Sequence, residues 1–118
     1  MTEYPKYDHY EKVFKGTKTF LKRWNGGIAI METITTSHPT LIINVFKKGN
    51  AGWLRLACID PQWIQGHRVW ENCNIELKAK VKLKSGETGY ILIDEKAELE
   101  IHCAAFSSSE NLPKKKSK

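Results

Sequence analysis

The sequence contains no apolar run long enough to cross a bilayer. Its longest apolar runs, such as Leu41–Ile43 and Tyr90–Ile93, fall far short of the roughly 20 residues that a membrane-spanning helix needs. The polar N-terminal residues also lack the apolar core of a secretory signal peptide. Cysteine is scarce and odd in number, at Cys58, Cys73 and Cys103, which without a secretion signal favours a reducing compartment. We therefore expect an intracellular protein of the cytoplasm or nucleus, with no membrane partner.

Sequence motifs of enzymes and metal sites are also missing. There is no Gly-x-Ser-x-Gly, no His-Glu-x-x-His and no phosphate-binding Gly-x-x-x-x-Gly-Lys. Residue types that bind metals occur at Cys58, His67, Cys73, His102 and Cys103. They form no Cys-x-x-Cys pair, and their wide spacing is typical of structural cysteines and histidines. A cysteine with His67, oriented by Asp60, is a minimal catalytic pair. We therefore expect a protein that is not an enzyme and that binds no metal and no cofactor.

Positive charge is concentrated in two parts of the chain. The formal net charge is +6, and residues 113–118 contain four lysines and no acid. Residues 12–48 are also basic, with Glu32 as their single acid. Such asymmetry favours a polyanion-binding face, although a solvated surface with a basic tail has the same net charge. The length predicts one domain, with an N-terminal arm over 1–12, a β-rich globular domain over 13–106 and a disordered basic tail over 107–118.

The stretch Asn74–Lys84 has the clearest pattern in the sequence. Apolar residues occupy every second position from Ile75 to Leu83, and the positions between them hold Glu76, Lys78, Lys80, Lys82 and Lys84. Period two is the spacing of a strand with one buried face. The lysine row is either a functional cationic surface or a solvated face that protects a sheet edge from aggregation.

Several other segments alternate in the same way. The sequence predicts strands over Lys15–Trp24, Ile28–Thr36, Thr40–Lys48, Trp53–Ile59, Tyr90–Ile93 and Ala97–Cys103. Asp60 followed by Pro61 is typical of a helix start, and Gly66 of its end. The predicted fold is all-β, or β-rich α+β: a small antiparallel OB-like barrel or strongly bent sheet, with one short helix near 60–66. A four-stranded sheet with a helix, followed by a separate three-stranded meander, fits about equally well.

Aromatic and basic residues are interleaved along the first half of the chain. Single-stranded nucleic acid is bound by cationic grooves with flat side chains on which bases stack. The candidate nucleic-acid-binding residues are Lys15, Lys18, Phe20, Lys22, Arg23, Trp24, Asn44, Phe46, Lys47, Lys48, Trp53 and Arg55. We therefore expect a non-catalytic protein that binds single-stranded DNA or RNA. The alternative is a protein-interaction or oligomerisation module, an adaptor or inhibitor that uses exposed aromatic residues and strand edges, with a protein partner or a second copy of the chain in a homodimer.

Overall fold

One helix and seven strands make up the computed structural model, which describes residues 9–34, 39–83 and 85–112. The helix α1 is His9–Trp24. The strands are β1 Ile28–Ile34, β2 Thr40–Phe46, β3 Trp53–Gln65, β4 Val69–Trp70, β5 Glu76–Lys82, β6 Thr88–Asp94 and β7 Leu99–Asn111.

All seven strands belong to one antiparallel sheet with the order β4-β1-β2-β3-β7-β6-β5. The strands β1, β2 and β3 follow one another as hairpins, as do β5, β6 and β7. The two groups join because β3 and β7 pair along most of their length. This confirms the predicted β-rich antiparallel fold. It takes the form of a single sheet, since no pair between the outer strands β4 and β5 closes a barrel within the described ranges.

The core lies between α1 and the face of the sheet that α1 covers, which we call the inner face. Leu41, Ile43 and Val45 of β2 point to this face. Leu54 and Leu56 of β3 do the same, in register with β2. Their full burial follows from the period-two alternation in both strands. The opposite face of the sheet, which we call the outer face, therefore receives the remaining side chains of β1, β2 and β3.

The strand predicted over Lys15–Trp24 is wrong, because this segment is the C-terminal part of α1. The buried or half-buried residues of the helix recur with period 3.6, at Val13, Phe14, Thr17, Phe20, Leu21 and Trp24. This spacing places them on one helix face. The predicted N-terminal arm over 1–12 overlaps the helix from His9 onward, and its first eight residues lie outside the described part of the chain.

The helix predicted near 60–66 is also wrong, since these residues continue β3. Asp60 has a φ of 56°, and the register with β7 shifts between Pro61 and Trp63. A β-bulge tolerates proline, which has no N–H to donate to the ladder. The Asp-Pro pair therefore bends a strand here, and Trp63 lies on that strand.

The strand β7 continues to Asn111, five residues into the segment predicted to be a disordered tail. Ser107, Ser108 and Ser109 pair in register with Ala57, Leu56 and Arg55 of β3. The backbone groups of these small polar residues are hydrogen-bonded because β3 supplies a full ladder of backbone partners. The predicted boundary at residue 106 therefore falls too early. The lysine-rich residues 113–118 lie outside the described part of the chain.

The lysine-faced strand is β5, and it contains one irregularity. Leu77 is buried while Lys78 is exposed, as the alternation predicts. The register with β6 shifts between Ala79 and Val81, and Lys80 has a φ of 57°. Lys80 is therefore the extra residue of a β-bulge in a left-handed backbone conformation that favours glycine.

We expect Lys80→Gly to leave the free energy of unfolding unchanged or to raise it by up to about 1 kcal/mol, because glycine adopts a positive φ without steric cost. The matched control Lys78→Gly, in the regular part of the same strand, should lower it by about 0.5–1 kcal/mol. Urea denaturation of both variants measures the difference. Equal losses in the two variants would show that Lys80 does not sit in a bulge.

Candidate nucleic-acid interface

An aromatic pair lies at one end of the outer face. The register aligns Ile28 of β1, Phe46 of β2 and Trp53 of β3 in one row across the sheet. Phe46 and Trp53 are 40% and 38% exposed. Their ring centroids are 6.1 Å apart, and the ring planes are tilted by 33°. Two flat surfaces in contact with each other are therefore open to solvent on neighbouring strands.

The next row of the outer face holds a cation and an amide. Asn44 of β2 is paired with Arg55 of β3, and Ile30 of β1 lies on the other side of Asn44. Arg55 is exposed, and none of the ion pairs between described residues involves it. Asn44 is half-buried beside it.

The β2–β3 hairpin places two more of the predicted cations near the aromatic row. Lys48 is exposed and Lys47 is half-buried, and both directly follow Phe46 in the chain. The β2–β3 hairpin therefore brings together five predicted site residues, namely Phe46, Lys47, Lys48, Trp53 and Arg55. We call these five residues and Asn44 the outer-face cluster.

The predicted site residues of α1 lie on the other side of the sheet. Trp24 is 2% exposed, and its Nε1 donates to Glu110 Oε2 at 2.7 Å. Arg23 Nη1 forms an ion pair with Glu110 Oε1 at 2.6 Å. Phe20 is half-buried against the core. Trp24 is therefore not a stacking surface, because its ring fills the space between the helix and the inner face.

The lysines of α1 are exposed, but they are not part of the outer-face cluster. Lys15 pairs with Glu11 at 2.9 Å one helical turn away. Lys18 Nζ lies 5.7 Å from the centroid of the Phe14 ring. The structure therefore divides the predicted site between two separate surfaces.

A groove between α1 and β5 contains Lys18 and Lys22 of the predicted site. The sequence did not predict that these lysines lie in a groove. The volume of the groove is about 570 Å³. The residues that line this α1–β5 groove are Phe14, Lys18, Leu21, Lys22, Asn25, Asn74, Ile75, Glu76, Leu77, Lys78 and Ala79. The sequence signal was the spacing of Phe14, Lys18 and Leu21 on one helix face, which the strand prediction for this segment concealed.

The buried cysteines are poorly suited to act as nucleophiles. A hydrogen bond with the Cys103 side chain raises the pKa of the Cys58 thiol well above its usual value, and burial adds to the increase. Burial raises the pKa of the Cys73 thiol, and the Asp94 carboxylate adds to the increase. Both are therefore neutral thiols at physiological pH, whereas the thiolate is the reactive form. No group of three or more potential metal ligands occurs in the residues that the structure describes.

Within the described ranges, the helix is neither long enough nor apolar enough to cross a membrane. No protein-family model, curated protein or solved structure matches the chain. The fold and the outer-face cluster together define a β-rich protein with an exposed aromatic and cationic sheet surface.

Proposed function

We propose that the protein binds single-stranded DNA or RNA through the outer-face cluster, without catalysing a reaction. The observation that supports this most is the contact between Phe46 and Trp53, two rings exposed on one sheet face. Contiguous exposed apolar surface is a feature of faces that bind ligands or other macromolecules. Bases are suitable partners because every base has a flat face that stacks on an aromatic ring.

Cations on the same surface support a polyanionic ligand. Arg55 lies on the outer face one row from the rings, and Lys48 lies in the hairpin next to them. A single-stranded nucleic acid whose bases stack on Phe46 and Trp53 therefore has its phosphates close to the positive charges of Arg55 and Lys48. Stacking on an aromatic ring does not depend on base identity, so we expect little sequence preference.

The first test removes the stacking surface. We expect Trp53→Ala to weaken the binding of a fluorescein-labelled oligothymidylate by about 1–3 kcal/mol, the value of one base stacked on an aromatic ring. The matched control is Trp63→Ala, which removes a tryptophan of similar exposure from the same strand beyond the bulge. It should leave affinity unchanged. Equal loss in both variants, or no binding by the wild-type chain, would reject the proposal.

The second test addresses the phosphate contact. Each cation that neutralises a phosphate releases a counterion, so the dependence of log K on log salt measures the number of contacts. We expect Arg55→Gln to weaken binding and to reduce this salt slope by about 0.7, the share of one contact on a single strand. Lys96→Gln, in the turn between β6 and β7, is the control and should leave the slope unchanged.

A protein interface is the second candidate function, and the apolar neighbours of the cluster favour it. Ile28 is 42% exposed in the aromatic row, and Val69 of β4 is 53% exposed beside Ile30. Phe46, Trp53, Ile28 and Val69 form an apolar surface of the kind that packs in dimers. Sedimentation equilibrium distinguishes a protein interface from a nucleic-acid interface. An interface of this type predicts a dimer that Trp53→Ala dissociates and that salt affects little, whereas nucleic-acid binding predicts a steep salt dependence.

A further inference from the structure

We infer that the α1–β5 groove binds an extended acidic peptide segment, which adds to the sheet as a strand beside β5. This binding site is separate from the outer-face cluster and does not depend on the nucleic-acid proposal. Three features of the groove support it: an open strand edge, cations on its rim, and an apolar floor.

The open edge belongs to β5, which is the edge strand of the sheet opposite β4. β5 pairs with β6 on one side, and no described strand pairs with its other side. In an antiparallel strand, about half of the backbone N–H and C=O groups point away from the single partner. The groove is lined by Glu76 to Ala79 of β5 and by Asn74 and Ile75, which precede the strand. A second backbone can therefore lie against the unpaired groups and extend the ladder.

The rim of the groove is cationic. Lys18 and Lys22 come from one face of α1, and Lys78 comes from β5, with Glu76 as the one acid among the lining residues. No ion pair between described residues neutralises any of the three lysines. Two positive charges therefore remain in excess at the groove, so an acidic side chain is electrostatically favoured there and a basic one is disfavoured.

The floor of the groove is apolar. Phe14 and Leu21 face it from the helix, and Leu77 and Ala79 face it from the strand. The volume of about 570 Å³ falls within the roughly 300–1,000 Å³ of ligand-binding clefts. An extended peptide directs alternate side chains to opposite sides. A segment that alternates acidic and apolar residues therefore matches the rim and the floor at the same time.

The groove is better suited to a peptide than to a nucleic-acid strand. Phe14 is the single aromatic residue in its lining, and Lys18 Nζ lies 5.7 Å from the centroid of that ring. A base therefore finds no free flat surface there on which to stack. A nucleic-acid strand also lacks the alternating N–H and C=O groups that pair with a strand edge.

The test uses the full chain and a fluorescein-labelled peptide in which glutamate and valine alternate, monitored by fluorescence anisotropy. We expect saturable binding. Lys22→Glu should weaken it at least about fivefold, because the rim then repels the acidic side chains. The matched control Lys96→Glu makes the same charge change in the turn between β6 and β7 and should bind like the wild type. The thermal midpoints of both variants, measured by circular dichroism, should equal that of the wild-type chain.

A second arm tests the mode of binding. The same peptide N-methylated at alternate backbone nitrogens cannot extend the ladder, and it should bind at least about fivefold more weakly. Undiminished binding of the methylated peptide would overturn strand addition.

The last arm separates this site from the nucleic-acid proposal. Trp53→Ala should bind the peptide like the wild type, because Trp53 lies on the outer face. If oligothymidylate displaces the peptide and Lys22→Glu abolishes both interactions, the groove is a nucleic-acid site and the inference is overturned. Absence of peptide binding also overturns it, while leaving the oligothymidylate result for Trp53→Ala intact.

Discussion

Replacement of Trp24 by alanine is expected to lower the free energy of unfolding by about 3–5 kcal/mol, the range for removal of a large aromatic side chain from a core. Trp24 is 2% exposed between α1 and the inner face. Its Nε1 also donates to Glu110 Oε2 at 2.7 Å. The substitution therefore leaves a cavity and removes a hydrogen bond that joins α1 to β7. Urea denaturation followed by circular dichroism measures the loss.

Trp53→Ala is the matched control for this prediction, since it removes the same side chain from the outer face. Its expected loss is about 1 kcal/mol, the value of an aromatic pair such as the one that Trp53 forms with Phe46. Similar losses at Trp24 and Trp53 would contradict the placement of one ring inside the core and the other outside it.

The second large effect is expected at Asp94, a carboxylate that is 2% exposed at the end of β6. Asp94 Oδ2 accepts from Trp70 Nε1 at 2.9 Å and from the backbone N–H of Asn74 at 2.8 Å. Asp94→Ala leaves both donors without this acceptor. We expect a loss of about 2–4 kcal/mol, from about 1–3 kcal/mol for the buried Trp70 donor and about 1 kcal/mol for the part-buried bond from Asn74. The thermal midpoint and urea denaturation measure it.

Two comparisons make this prediction specific. Asp94→Asn keeps a side-chain oxygen that accepts from the same two donors, so its loss should be clearly smaller than that of Asp94→Ala. Glu95→Ala changes the adjacent exposed carboxylate and should stay within about 0.5 kcal/mol of the wild type. If Asp94→Ala is as stable as Glu95→Ala, Asp94 does not hold the segment before β5 in place.

Alternation determined which side chains of β2 and β3 lie on the outer face. Period two in β2 and β3 assigns Phe46 and Trp53 to the face opposite Val45 and Leu54. The antiparallel pairing of β2 with β3, in which Val45 is opposite Leu54, then brings the two rings together across the hairpin. The pairing of the two rings is therefore local information, contained within a few residues of one hairpin.

Only the tertiary structure decided the state of the segment Lys15–Trp24. Its threonines and lysines suit the exposed positions of either a strand or a helix, so both periods fit the sequence. The helix is selected because its apolar face packs against β5 and β7, and packing of an amphipathic face is the main source of helix stability.

The roles of the tryptophans were decided in the same way. Composition does not distinguish Trp24 from Trp53, since each has a basic residue within two positions in the sequence. Trp24 is buried between α1 and the inner face, and Glu110, 86 residues later in the chain, accepts from its indole N–H. That partner comes within reach only when β7 pairs with β3. The local pattern therefore set which face each strand residue occupies, and long-range pairing set which aromatic rings are covered.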